Sequence, residues 1–130
     1  MRDHDALLAF IASRAVMPFD WRCNDCVRYA AGAIVAQGGE SPLRGLRHWA
    51  TLTGAVRALR RLGGMEAAVS ARLTAIAPAL AQRGDIAGVP DDMLGLRLMV
   101  VEGETLVGPG DNGNCRQKRN AMTHAWSGLE

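Results

Sequence analysis

The chain's 130 residues suffice for one domain with a real core, and 48% hydrophobic with 22% charged residues is the balance of a globular protein. A net charge of +2 argues against a nucleic-acid binder, which needs a clustered basic face. No apolar run approaches the roughly 18 residues of a membrane span.

The opening "MRDHDALLAFIASRAV" carries Asp3 and Asp5, and Ser13 and Arg14 break its apolar run, so no secretory leader is expected. Asp3 can cap a helix over residues 3–16, with Leu7, Leu8, Ile11, Ala12 and Ala15 as its apolar stripe. Pro18 ends it. After the link "MPFDWRC", Asn24 or Asp25 caps a second helix that runs to about Gln37 and stops at Gly38-Gly39. Its Ala- and Gly-rich face suits a central buried helix.

Thr53 is the expected cap of a third helix ending at Gly63-Gly64, and residues 65–76 read as a fourth. The character then changes. "GDIAGVP" reads as a short strand, and "LGLRLMVVEGETLVG" as two strands joined by a turn at Glu102-Gly103. "PGDNGNCRQKRN" reads as a polar loop, and "AMTHAW" as a closing strand. Helices first and antiparallel strands second is the α+β order, in one domain spanning 1–130.

The basic groups Arg57, Arg60 and Arg61, and Arg116, Lys118 and Arg119, read as solvated faces. "GDNG" at 110–113 reads as a turn, because a calcium loop needs more alternating oxygens and a distal glutamate. An odd number of cysteines fits reduced thiols in a cytoplasm rather than a disulfide framework.

Three chemistries compete for those cysteines. Cys23 and Cys26 have the spacing of a zinc knuckle, which Cys115 and His48 or His124 would complete, although a second close pair is missing. Cys-x-x-Cys at a helix start also suits a redox pair, but no buried strand precedes it. The third reading makes Cys26 a nucleophile, its thiolate favoured by the helix N-terminus, with Cys23 an incidental loop thiol. Against it stands the reading of Cys26 as a small packed hydrophobe.

Four features in order carry a resemblance: the segment from Trp21 to Cys26, Gly63-Gly64, Gly84-Asp85 and Trp126. Together they resemble the NlpC-type cysteine peptidases of the papain-like superfamily, and more closely a small phage- and prophage-associated domain family of unknown function within that group. The resemblance implies an α+β, papain-like, NlpC-type fold with N-terminal helices packed on a small C-terminal antiparallel sheet. It implies Cys26 as nucleophile and no cofactor.

Two departures stand out. Arg22 occupies the place of the glycine that follows the family's tryptophan, and Leu94 stands about where the catalytic histidine belongs. A leucine can neither hold a thiolate as an ion pair nor protonate a leaving amine. His124 and His48 are the candidate replacements, each otherwise an ordinary surface or half-buried histidine, and Asp85 is a candidate third member. The resulting expectation is a degenerate structural or adaptor component of a phage tail. Its partners would be other particle proteins, with neither nucleic acid nor a membrane span. It would reside in the bacterial cytoplasm during assembly and in the particle afterwards. The alternatives are a cysteine hydrolase acting on cell-wall peptide, and a zinc-stabilised binding domain using Cys23, Cys26 and Cys115.

Overall fold

The computed structural model describes residues 2–129. Four helices come first: α1 (His4–Ser13), α2 (Cys26–Ala36), α3 (Leu52–Arg61) and α4 (Met65–Ser70). Six strands follow: β1 (Ala75–Ile76), β2 (Ile86–Asp91), β3 (Gly95–Val101), β4 (Thr105–Gly110), β5 (Gly113–Lys118) and β6 (His124–Trp126). They form one antiparallel sheet in the order β1-β6-β2-β3-β4-β5, so the fold class is α+β.

The helix starts follow the capping chemistry. The Asp3 carboxylate accepts the Ala6 N–H, and the Asp25 carboxylate accepts the Arg28 N–H, each satisfying a donor that a helix start leaves free. The third cap is Thr51 rather than Thr53: its hydroxyl accepts the Gly54 N–H. The expected fourth helix ends early, at Ser70, and Ala75–Ile76 pairs with β6 instead, which adds a strand where helix was expected.

Alternation explains the apolar runs of the sheet. Ile86, Leu96, Leu98, Val100, Val107 and Trp126 face the helices, where they meet Leu7, Tyr29 and Ile34. Ala87, Val89, Met99, Val101, Leu106 and Ala125 form a second core on the other face, beneath Ala81 and Met122. A strand covered on both sides loses its polar alternation, hence "LMVV". Trp126 is 1% exposed, and burying so large a ring contributes about 2–3 kcal/mol. The tryptophan therefore anchors the core.

The largest correction is at 109–118. The expected polar loop is a hairpin, with Asp111 and Asn112 at the turn and β5 as its return strand. β5 is an edge strand, exposed along much of its length, so its sequence carries no apolar stripe. "GDNG" is thus a hairpin turn, as its residues suggest.

Gly84 is required where β2 begins. Its φ is +93°, and a Cβ there would lie 2.0 Å from Gln37 Oε1. The next residue, Asp85, is 1% exposed and ties the chain ends together. Its carboxylate accepts the Gln82 N–H at 2.7 Å and the Gly128 N–H at 3.0 Å, and it forms an ion pair with Arg2.

Candidate functional site

The segment before α2 is held by a buried polar network. Asn24, 0% exposed, donates through Nδ2 to the carbonyls of Met17 and Pro18. Asp25, 1% exposed, accepts the Arg28 backbone N–H at 2.9 Å and Arg28 Nη1 at 3.1 Å. Trp49 Nε1 donates to the same Oδ2 that accepts Arg28 Nη1, and Arg28 reaches the carbonyls of Trp21 and Trp49. The guanidinium lies 4.7 Å from the Trp49 ring centroid. These bonds tie Trp49 to the start of α2, because a carboxylate removed from water needs every oxygen satisfied.

Cys26 is the first residue of α2, the place the sequence assigned to a nucleophile. Its surroundings oppose that role. The residue is 6% exposed, and burial pushes its thiol up from 9.0 to about 12. The Leu98 backbone N–H pulls the other way, whereas the Asp25 and Asp91 charges add to the rise. Desolvation thus overrides the helix terminus.

Beside the thiol the sheet opens. The β3–β4 ladder pairs Val100 with Val107 and Val101 with Leu106, then stops. Continued one step along that side of the ladder, Leu98 would face Pro109, which has no N–H to donate. The Gly110 carbonyl accepts the Phe19 N–H instead, at 2.8 Å. The resulting cleft encloses about 420 Å³ and is lined by Trp21, Cys26, Asp91, Arg97, Leu98 and Cys115, among others. On its helix side Cys26 also borders an enclosed apolar cavity of about 60 Å³.

The other expected site residues lie elsewhere. His124 is on β6, separated from β4 by β2 and β3. Its Nε2 is 3.3 Å from Glu66 Oε2, its Nδ1 contacts Thr123 Oγ1, and its ring stacks beside Trp126. Asp85 sits at the end of β2 opposite Asp91, fully engaged in joining the termini. The His48 ring meets Arg28 Nη2 at 3.2 Å, so the guanidinium stands on that side of it. Leu94 does border the cleft, and it also packs against the helix-side core. The structure therefore does not assemble Cys26, His124 and Asp85 into one site.

The zinc arrangement is not formed either. Cys23 and Cys115 are exposed while Cys26 is buried, and among the described residues no three His, Cys, Asp or Glu side chains converge on a common point. Among the described residues no helix is long and apolar enough to cross a membrane.

Sequence reasoning missed Arg97, Pro109 and the partnership of Arg28 with Trp49. Two signals were present: a lone charge inside the apolar run "LGLRLMVV", and a proline inside a strand. Arg97 Nη2 donates to Gln117 Oε1, while its Nε is buried with no partner.

No curated protein matches the chain. A family profile does match it from residue 1 to 128, across the capped α2 start, the cleft and the closing strand alike. The chain belongs to the family described as Domain of unknown function (DUF6950).

Proposed function

We propose that this protein is a non-catalytic relative of the NlpC-type cysteine peptidases, acting as a structural or adaptor component of a phage-like particle and associated with its tail. The observation that carries the loss of catalysis is the state of Cys26. A thiol whose pKa is about 12 is ionised at pH 7 in on the order of one molecule in 10⁵, and the thiolate is the nucleophile. No imidazole of the described residues reaches it: His124 is held by Glu66 and His48 by Arg28.

The NlpC relationship and the tail setting are supported by the ordered motifs from Trp21–Cys26 to Trp126. In this reading the partners are other particle proteins, met in the bacterial cytoplasm during assembly. The cleft is kept as a binding surface after its chemistry is lost.

A second reading, hydrolysis of a cell-wall peptide, is favoured by one observation: Cys26 lines an open cleft at a helix start. Two measurements decide between them. Incubation with muropeptides should release no product above the Cys26→Ala control, and turnover dependent on Cys26 would overturn the proposal. Mass spectrometry of purified particles from a host carrying the gene should find the chain at fixed stoichiometry. Its confinement to the cytosol would remove the tail assignment.

A further inference from the structure

We infer that the groove between α3 and the β2–β3 turn docks an acidic segment of another protein. That segment places an apolar side chain in the groove and its carboxylates on Arg57, Arg60 and Arg61. Docking there is separate from the loss of chemistry at Cys26 and holds whether or not that thiol reacts.

One stripe of α3 builds the groove. Val56, Leu59, Arg60 and Gly63 recur at intervals of three and four, so they share a side of the helix and line the groove together. Met93 and Leu94 form the opposite wall. Asp91 Oδ2 pins that wall by accepting their two amides, at 3.1 and 2.8 Å. Gly63 and Gly64, with φ of +88° and +102°, turn the chain at the end of α3 and leave that part of the lining without side chains. The space is about 510 Å³, within the ~300–1,000 Å³ of binding pockets and enough for a few side chains. Met93 is 60% exposed at its edge, a flexible thioether that adapts to an apolar partner.

Charge sets the sign of the partner. Residues 41–80 carry six arginines and one acid, Glu66, in a chain whose net charge is only +2. Glu66 faces His124. Arg57, Arg60 and Arg61 are exposed, and none of them forms an ion pair among the described residues. Arg57 stands one turn from both Arg60 and Arg61, so the like charges repel. The helix C-terminus favours the last two where they are but gives no return for Arg57. Against these three the turn sets Asp92, exposed beside Met93, since Asp91 is engaged with its own turn. Carboxylates of a partner relieve the repulsion, and complementary charge fixes which partner docks and how.

Shape selects a protein over other anionic partners. α3 turns Ala55, Ala58 and Leu62 toward the enclosed cavity on its core side, so it offers no apolar face to a bilayer. A nucleic-acid backbone pairs with arginines but brings no aliphatic side chain for Val56, Leu59 and Met93 to enclose. An acidic segment with an apolar anchor satisfies both features at once, as grooves that take amphipathic segments do.

The test is amide NMR on the intact protein at low salt. The probes are acetyl-Glu-Glu-Leu-Leu-Glu-Glu-amide, the same peptide with Gln for Glu, the same with Ser for Leu, a short DNA duplex, and phosphatidylglycerol vesicles. The acidic leucine peptide should move the resonances of Val56, Gly63, Gly64, Met93 and Leu94. The Gln and Ser peptides should each bind about tenfold more weakly, because one lacks the charge and the other the anchor. The triple change Arg57→Glu, Arg60→Glu and Arg61→Glu should transfer the preference to the counterpart with Lys for Glu. Met93→Ser should weaken the acidic peptide and leave its advantage over the Gln peptide in place.

Equal binding of the Gln peptide, shifts confined to another surface, or no shift with the acidic peptide at millimolar concentration would overturn the inference. Tighter binding of the duplex or the vesicles would overturn it as well, by giving the arginines to a different partner. If the triple variant does not fold, Arg60→Gln alone should weaken the acidic peptide about threefold, and unchanged affinity would count against the inference. Muropeptide turnover dependent on Cys26 defeats the non-catalytic reading and leaves this groove untouched, and a failed titration without turnover does the reverse.

Discussion

Asp25 and Arg28 serve each other twice. The carboxylate of Asp25 caps α2 by accepting the Arg28 N–H at 2.9 Å, and the Arg28 side chain returns to the same carboxylate at 3.1 Å. Trp49 closes the arrangement from the 42–49 segment. One carboxylate thereby ties Trp49 to the start of the helix that carries Cys26.

Asp25→Ala should therefore destabilise the protein strongly. It removes a cap, leaves the Trp49 indole N–H without its acceptor and strips the Arg28 guanidinium of its counter-charge, leaving it only the Trp21 and Trp49 carbonyls, an effect of about 3–5 kcal/mol. Asp25→Asn keeps an acceptor for the Arg28 amide and should cost less. Urea unfolding of the two variants checks the order, and equal losses would show that the charge, not the cap, dominates.

Iodoacetamide should modify Cys23 and Cys115, both exposed, well before Cys26 in native protein near neutral pH. Peptide mapping after timed quenching reads the order. Fast alkylation of Cys26 would mean that its burial does not hold the thiol protonated.

The same burial gives stability a pH dependence. The folded pKa of Cys26, about 12, lies above its ordinary 9.0, so the protonated thiol is retained in the fold longer than in the unfolded chain. The contribution is complete below 9.0 and is lost as pH rises toward 12. The slope approaches about 1.4 kcal/mol per pH unit within that window. Tyr29, raised from 10.0 to about 12 by burial and then by Glu102, acts in the same direction. The stability difference between wild type and Cys26→Ala should narrow across this range, since only the wild type loses the Cys26 contribution. A constant difference would remove Cys26 as the cause.

His124→Ala should leave the Cys26 alkylation rate unchanged and lower stability by about 1 kcal/mol, because it loses a part-exposed pair with Glu66, the Thr123 contact and the stacking beside Trp126. A change in thiol reactivity would show a coupling across β2 and β3 that the geometry does not contain.

Gly84→Ala should be among the most damaging single changes. The backbone needs φ of +93°, and the added carbon would meet the buried Gln37 amide at 2.0 Å. A loss above about 2 kcal/mol is expected in thermal unfolding. A neutral result would mean that Gln37 can move aside.

Local chemistry made part of this legible in advance. Asp3 and Asp25 are caps whose acceptors lie within the next turn, and such contacts depend on neighbours in sequence. The β3–β4 hairpin followed from two apolar runs around Glu102-Gly103. β5 escaped notice because an edge strand exposed to solvent carries no apolar alternation to read. The early end of α4 escaped as well, since β1 forms only by pairing with β6, some fifty residues away.

The site divides along the same line. The sequence alone determined that Cys26 opens a helix and that no histidine stands near Leu94, because both are matters of local order along the chain. The tertiary structure alone decided that Cys26 is buried, that His124 lies on β6 with β2 and β3 between it and β4, and that the β3–β4 ladder stops before Pro109, leaving a cleft where Arg97 has no ion-pair partner among the described residues. Desolvation and strand pairing are set by what distant segments bring together, and no spacing within one segment records them.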